Sequence, residues 1–217
     1  MLNQWLQIVG LSGAYLATSG YLRTAGPWGA GRDPTSSRAT ATMVLTLVLC
    51  VTAMLQWTFP GVLSAFRRDA TRIATGEWWR LGTALLVQDG GVAGTVFNLT
   101  SLLLVGSAAE RLLGSRRWLL IFLVGALVSE LIALTWRPIG AGNSVATFSL
   151  AGAVSVRCVT ERPSVAVFLA AAVTLTSGVA LLVVRDIHGA ATFAGAVIGL
   201  VFITRDRPRA SGRTILR

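Results

Sequence analysis

A single histidine in 217 residues narrows the chemistry open to this chain. His188 stands where an apolar helix should begin, and small residues follow it at four-residue spacing: Ala191, Gly195 and Gly199. Ser144 stands at the matching end of another apolar run, directly after Gly142 and Asn143. A serine hydroxyl is a poor nucleophile until a base accepts its proton, and a neutral imidazole has the right unperturbed pKa for that task. The chain contains no lysine, so a serine–lysine pair is impossible and any nitrogen base acting on a serine must be His188. A serine at a helix N-terminus also has unpaired backbone N–H groups beside it, aimed at a developing oxyanion. No carboxylate occupies an obvious matching place on the third helix, so a two-residue dyad is expected rather than a triad.

Each of these residues has a plain structural alternative. Ser144 could serve only as a helix N-cap, His188 as a satisfied polar group, and the 191/195/199 spacing as ordinary small-residue packing. Their coincidence in one ordered frame favours the chemical reading.

That frame is a membrane. Hydrophobic residues make up 53% of the chain and charged residues 13%, and several apolar runs approach the ~20 residues needed to cross a ~30 Å hydrocarbon core. The periodicity predicts an all-α, polytopic protein with spans at roughly 40–59, 89–109, 117–136, 144–159, 164–184 and 187–204. Trp57, Trp78, Trp79, Trp118 and Trp136 fall at predicted span ends, as interfacial anchors should. Residues 4–22 are moderately apolar but carry Asn3, Gln4 and Gln7 at or near their start. They read as an interfacial helix or a seventh span, without the basic n-region of a signal peptide. A Gly/Pro/Ser/Arg-rich linker, about 23–39, is expected to be poorly ordered. The domain reading is an N-terminal segment and linker over 1–39, a transmembrane domain over 40–204 and a basic tail over 205–217.

The net charge of +10 comes entirely from arginine, placed between apolar runs and in the tail rather than on one amphipathic face. This is a topology signal, and no nucleic-acid partner is expected. Arg23, Arg32, Arg38, Arg111, Arg116, Arg117, Arg157, Arg162 and the tail arginines share one side. About half as many fall on the other, so the tail is expected in the cytoplasm. Cys50 and Cys158 read as packing residues with no disulfide implied. No cofactor and no metal is expected. At 1.5 Å per residue, Ser144 lies about 20 Å above Arg157 and Asn98 about 18 Å above Glu110, so serine, histidine and asparagine can converge at one depth.

These residues resemble the rhomboid intramembrane serine proteases. Gly142-Asn143-Ser144-Val145 opens a GNSVATFSLAGA run similar to the family's G-x-S-G helix start. Gly76 to Leu86 (GEWWRLGTALL) resembles its W-R-x-x-T segment, and Phe97-Asn98 its asparagine-bearing helix. Gly106-x-x-x-Glu110, followed by Gly114-Ser115-Arg116, looks like its G-x-x-x-E and basic turn. His188-x-x-Ala191-x-x-x-Gly195 resembles its sixth-helix motif. The resemblance covers about residues 40–204 and implies a six-helix bundle. It implies Ser144 and His188 as the catalytic pair, Asn98 as an oxyanion donor and Phe148 packed on the His188 ring. Gly142 and Gly195 are implied as supporting glycines. Departures stand at Val145 and Ser149, where the family pattern has glycine, and at Gly94, where an oxyanion-binding histidine is common.

The function expected is a serine endopeptidase cleaving peptide bonds in or near transmembrane segments of membrane proteins, in a bacterial plasma membrane. The alternative is a silent relative that binds membrane-protein clients. Two carboxylates lie outside this frame. Glu130, in the third span, should face the bundle or a watery cavity and bond to a neighbouring helix, a proton relay or transport role being the rival reading. Asp89 should be solvated at the outer mouth.

Overall fold

In the computed structural model, residues 2–25 and 39–206 are described. Most of the linker expected over 23–39 and most of the tail lie outside them. Helix α1 is Leu2–Ala25 and α2 is Thr40–Thr58. A looped segment follows with three short helices, α3 (Gly61–Phe66), α4 (Ala70–Ala74) and α5 (Arg80–Thr83). Then α6 (Gly91–Ser101) continues through a π-helical stretch, Leu102–Gly106, into α7 (Ser107–Leu113). The remaining helices are α8 (Ser115–Trp136), α9 (Ser144–Glu161), α10 (Val165–Val183) and α11 (Ile187–Asp206).

Among the described residues, five helical segments are long and apolar enough to cross a membrane: α2, the α6–α7 unit, α8, α10 and α11. The sixth predicted span, α9, is less apolar because lipid scarcely meets it. Thr147, Ser149, Ser155 and Arg157 are all buried along it, enclosed by the other helices. The chain is therefore an integral, multi-pass helical membrane protein, and its most polar long core helix is its most enclosed.

The N-terminal segment is a helix lying along the bundle rather than across its end. Gly10 faces Ser177, Gly13 faces Ala170 and Thr174, and Gly20 faces Val167, so α1 runs antiparallel to α10. Thr174 Oγ1 donates to the Gly10 carbonyl at 2.9 Å, and the small residues let the two backbones come this close. Leu11, Ala14, Ala17 and Tyr21 are buried, while Leu2, Trp5, Val9 and Leu16 are exposed. At its far end the Tyr21 hydroxyl bonds Glu161, and Arg157 Nη2 donates to that hydroxyl at 3.1 Å. At 1.5 Å per residue, its 24 residues reach about 36 Å, as far as the spans beside it.

Other elements are fastened by single buried polar groups. The first turn of α2 has no side-chain cap of its own. Glu110 in α7 replaces one, accepting from the amides of Ala41 at 3.0 Å and Thr42 at 2.8 Å, and from the Ser115 hydroxyl at 2.6 Å. This accounts for the Gly106-x-x-x-Glu110 spacing, because a side chain at 106 would press on Thr42. Trp118 is not an interfacial anchor. It is fully buried, stacked on Phe122, and donates to the Gly106 carbonyl at 3.0 Å beside the π-helical turn, where the regular bonding of the helix is shifted. Trp57, Trp78 and Trp79 are exposed, as an interfacial role requires. Cys50 and Cys158 are free thiols.

The segment between α2 and α6 forms a clamp over the start of α9. Arg68–Asp69 (β1) pairs antiparallel with Ile139–Gly140 (β2), and the Gly142 amide donates to the Ala84 carbonyl at 2.9 Å. Buried Arg80 holds the clamp together by donating to Glu77 and to the carbonyls of Ser64 and Arg67. Glu130 is buried against Arg68 at 2.5 Å. Its bond ties α8 to this clamp, the structural role expected of it but with a looped rather than a helical partner. Asp89 is exposed, yet it is not simply solvated: its Oδ2 accepts from the Ala141 amide at 2.9 Å.

Candidate active site

The clamp delivers Ser144 to the first position of α9 through a backbone bend that only glycine adopts readily. Gly142 has φ +137°, outside the range comfortable for residues with a Cβ. A Cβ there would also press on the Asn98 amide nitrogen at 3.2 Å and lie 3.7 Å from Ser144 Oγ. The supporting glycine thus sits between the asparagine and the serine.

Ser144 Oγ lies 2.8 Å from His188 Nε2. The two residues open adjacent helices whose backbones almost touch. A Cβ at Gly195 would overlap the Ser149 carbonyl, one at Gly152 the Thr192 carbonyl, and one at Gly199 would stand 2.8 Å from the Ala153 carbonyl. Ser149, in place of a family glycine, fits by sharing its one hydroxyl proton between the Val145 and Ala191 carbonyls, both at 3.1 Å. Val145 is buried. Phe148 packs on the His188 ring, with centroids 4.8 Å apart and planes tilted by 55°.

The other imidazole nitrogen has a partner the sequence reading did not anticipate. His188 Nδ1 lies 2.6 Å from Asp186 Oδ1, which also accepts from the His188 backbone amide at 3.0 Å. The expectation of an unaccompanied dyad therefore needs correction: a carboxylate stands behind the imidazole, contributed by the turn before α11 rather than by the third helix. Its signal was legible, since an aspartate immediately before a helix is a preferred N-cap and here precedes the histidine by two residues. Burial pushes the Asp186 carboxyl up, but the hydrogen bonds and positive charge presented by His188, with Arg137 nearby, outweigh this and hold it at about 2.

Asn98 reaches the site from α6 but is not idle. Its Nδ2 donates to Gln88 Oε1 at 2.7 Å, and Gln88 Nε2 in turn donates to Asn143 Oδ1 at 3.1 Å. The Gln88 backbone is pinned on both sides by Gln56, with bonds of 2.7 and 2.9 Å. A primary amide has two N–H donors, so Asn98 keeps one for another acceptor. Asn143 spends its side chain on this network and does not cap α9, which leaves the first-turn amides beside Ser144 without a side-chain cap. Gly94 presents open space: nothing lies within 4 Å of a Cβ built there.

A cavity of about 380 Å³ opens onto these groups. Ser144, His188 and Asn98 line it, with Ala93, Gly94 and Phe97 of α6 on one wall and Gln4, Gln7 and Ile8 of α1 on another. It has both apolar and polar lining, which suits a peptide segment better than a simple ion.

Comparison with known proteins agrees with the residue-level resemblance. The family model for the rhomboid domain matches residues 75–209. The chain is 36% identical over 96 residues to rhomboid protease GluP of Bacillus subtilis (strain 168), covering 44% of this chain and 19% of that protein. It is 32% identical over 120 residues to YdcA of the same strain, whose name assigns it provisionally to the rhomboid proteases, covering 50% of this chain and 59% of that protein. The matches thus span about a fifth and three fifths of those relatives' own lengths. With its helical bundle, its ordered motifs and more than half its length matched, this chain belongs to the rhomboid family.

Proposed function

We propose that this protein is an intramembrane serine endopeptidase that hydrolyses peptide bonds in or near transmembrane segments of membrane proteins. The observation that carries the reading is the 2.8 Å contact between Ser144 Oγ and His188 Nε2 at the floor of an open cavity. Ser144 attacks the scissile carbonyl while His188 takes its proton, so the C–O bond forms without leaving a free alkoxide. Negative charge then develops on the carbonyl oxygen. The spare N–H of Asn98 and the first-turn amides of α9 stabilise it, oriented before the reaction begins. His188 returns the proton to the departing amine, and water resolves the resulting ester by the same steps in reverse.

The arginine distribution supports a site facing the outside of a bacterial plasma membrane, with the C-terminus in the cytoplasm. Labelling the purified protein with a fluorophosphonate probe tests the catalytic reading. Wild type should label and Ser144→Ala should not. One observation favours a client-binding protein without catalysis: position 94, where the family commonly has a histidine, carries no side chain. Equal labelling of wild type and Ser144→Ala would favour that alternative.

A further inference from the structure

The carboxylate behind His188 is surrounded by hydrogen-bond donors on both of its oxygens. Oδ1 receives the backbone amide and Nδ1 of His188. Oδ2 receives Asn3 Nδ2 at 3.0 Å and Gln7 Nε2 at 3.4 Å, both from α1. Arg137, after α8, adds a guanidinium 3.8 Å from Oδ2. Asp186 is 2% exposed, so its negative charge is held by these groups rather than by water.

We propose that Asp186 is a positioning residue for His188 and that α1, through Asn3 and Gln7, completes the site by holding Asp186 in place. This rests on the reading of Ser144 and His188 as the catalytic pair. A base acting on Ser144 through Nε2 must carry its proton on Nδ1, and neutral imidazole in water has no fixed obligation to do so. An acceptor-only carboxylate against Nδ1 imposes that tautomer and fixes the ring plane. Without the carboxylate charge, nothing beside Nδ1 selects for its proton: Gln7 Nε2, 3.1 Å from Nδ1, is a donor that a bare Nδ1 can accept and a protonated one cannot, so the proton is favoured on Nε2, and Nε2 then cannot accept from Ser144. The polar residues that make α1 a poor span by composition, Asn3, Gln4 and Gln7, thus lie at its site end.

The chain's single histidine makes this directly measurable. Full-length protein labelled with ¹⁵N-histidine, in detergent micelles, gives one imidazole whose nitrogen shifts report the tautomer whether or not the protein turns over. In wild type, above the imidazole titration, Nδ1 should be protonated and Nε2 bare. Asp186→Asn keeps a capping oxygen for α11 but removes the charge. It should move the proton toward Nε2 and lower kcat/KM on a model transmembrane substrate by ~10³–10⁴-fold, the scale on which a wrong tautomer disables such a base. The Asn3→Ala/Gln7→Leu double variant should lower kcat/KM roughly tenfold with Asp186 intact, as expected for lost bonds to a charged group. A wild-type spectrum with the proton on Nε2, or an Asp186→Asn variant with unchanged tautomer and rate, overturns the proposal. If His188→Ala is still inactive in that case, the protease reading stands. A double variant equal to wild type in rate removes α1 from the site. Failure of wild type to label with fluorophosphonate while the tautomer responds as stated would overturn the protease reading alone.

Discussion

The two sides of the cavity are built differently. On one side, α9 and α11 meet through Gly152, Gly195 and Gly199 with no room for a further methyl group. On the other, Asn98 is carried by α6, where a Cβ at Gly91 or Gly94 would meet nothing within 4 Å and Val92 and Val96 are exposed. Ser144 and His188, the proposed nucleophile and base, are thus set by backbone contact, while Asn98, the proposed oxyanion donor, is held by a side-chain chain through Gln88. Packing that admits one arrangement suits the pair, whose geometry must be fixed before substrate arrives. On the proposed function, loose packing suits the wall past which a transmembrane segment would enter.

The largest effect tests the rigid side chemically. Ser144→Ala and His188→Ala should each lower turnover of a model transmembrane substrate by more than ~10³-fold with unchanged thermal unfolding in detergent; residual activity of a tenth or more would locate the nucleophile elsewhere. On the loose side, Asn98→Ala should lower kcat by ~10²–10³-fold without abolishing it. A normal rate in that variant would leave the oxyanion to backbone amides alone.

Packing separates the sides next. Gly195→Leu has no space against Ser149 and should cost about 3 kcal/mol or more of stability, at or beyond the upper end for overpacked cores, whereas Gly94→Leu should unfold within a few degrees of wild type. Equal losses in the two would erase the contrast. Because Gly94 and Asn98 share a helix face, Gly94→His has room to add a donor and should raise the rate several-fold; a well-folded variant without gain would show that the open space is needed by substrate.

The smallest effect is a pH dependence. Asp186 is held below its ordinary value of 3.8, at about 2. Its contribution to stability is therefore complete above about pH 4 and is lost as pH falls through about 2. Between those limits wild-type stability should decline more steeply than that of Asp186→Asn, and parallel declines would mean the carboxylate is not held by its neighbours.

Much of this was legible in the sequence because it is written in local periods. Apolar runs near 20 residues place the spans to within a few residues, Ser144 and His188 stand at helix starts, and the packing of Phe148 on His188 is what the family resemblance implies. The misreadings share a cause. Trp118 was assigned by its position near a span end, but its fate was decided by the Gly106 carbonyl, 12 residues away in sequence. Gln88 was not singled out at all, since its partners Gln56, Asn98 and Asn143 are distant in sequence. Asn3 and Gln7 argued against a span when read as average polarity, and only the fold brings them to Asp186 and His188. Asp186 differs from these, because its signal is local: an N-cap beside the histidine.

The cap that Glu110 provides for α2 has a consequence for biosynthesis. Its acceptor lies 69 residues after the Ala41 amide it satisfies. While the chain is being made, α2 enters the bilayer with its first-turn N–H groups bare, and they stay so until the α6–α7 unit has been synthesised and inserted. Until then water at the headgroups can serve those amides, and docking of α7 exchanges that water for the Glu110 carboxylate.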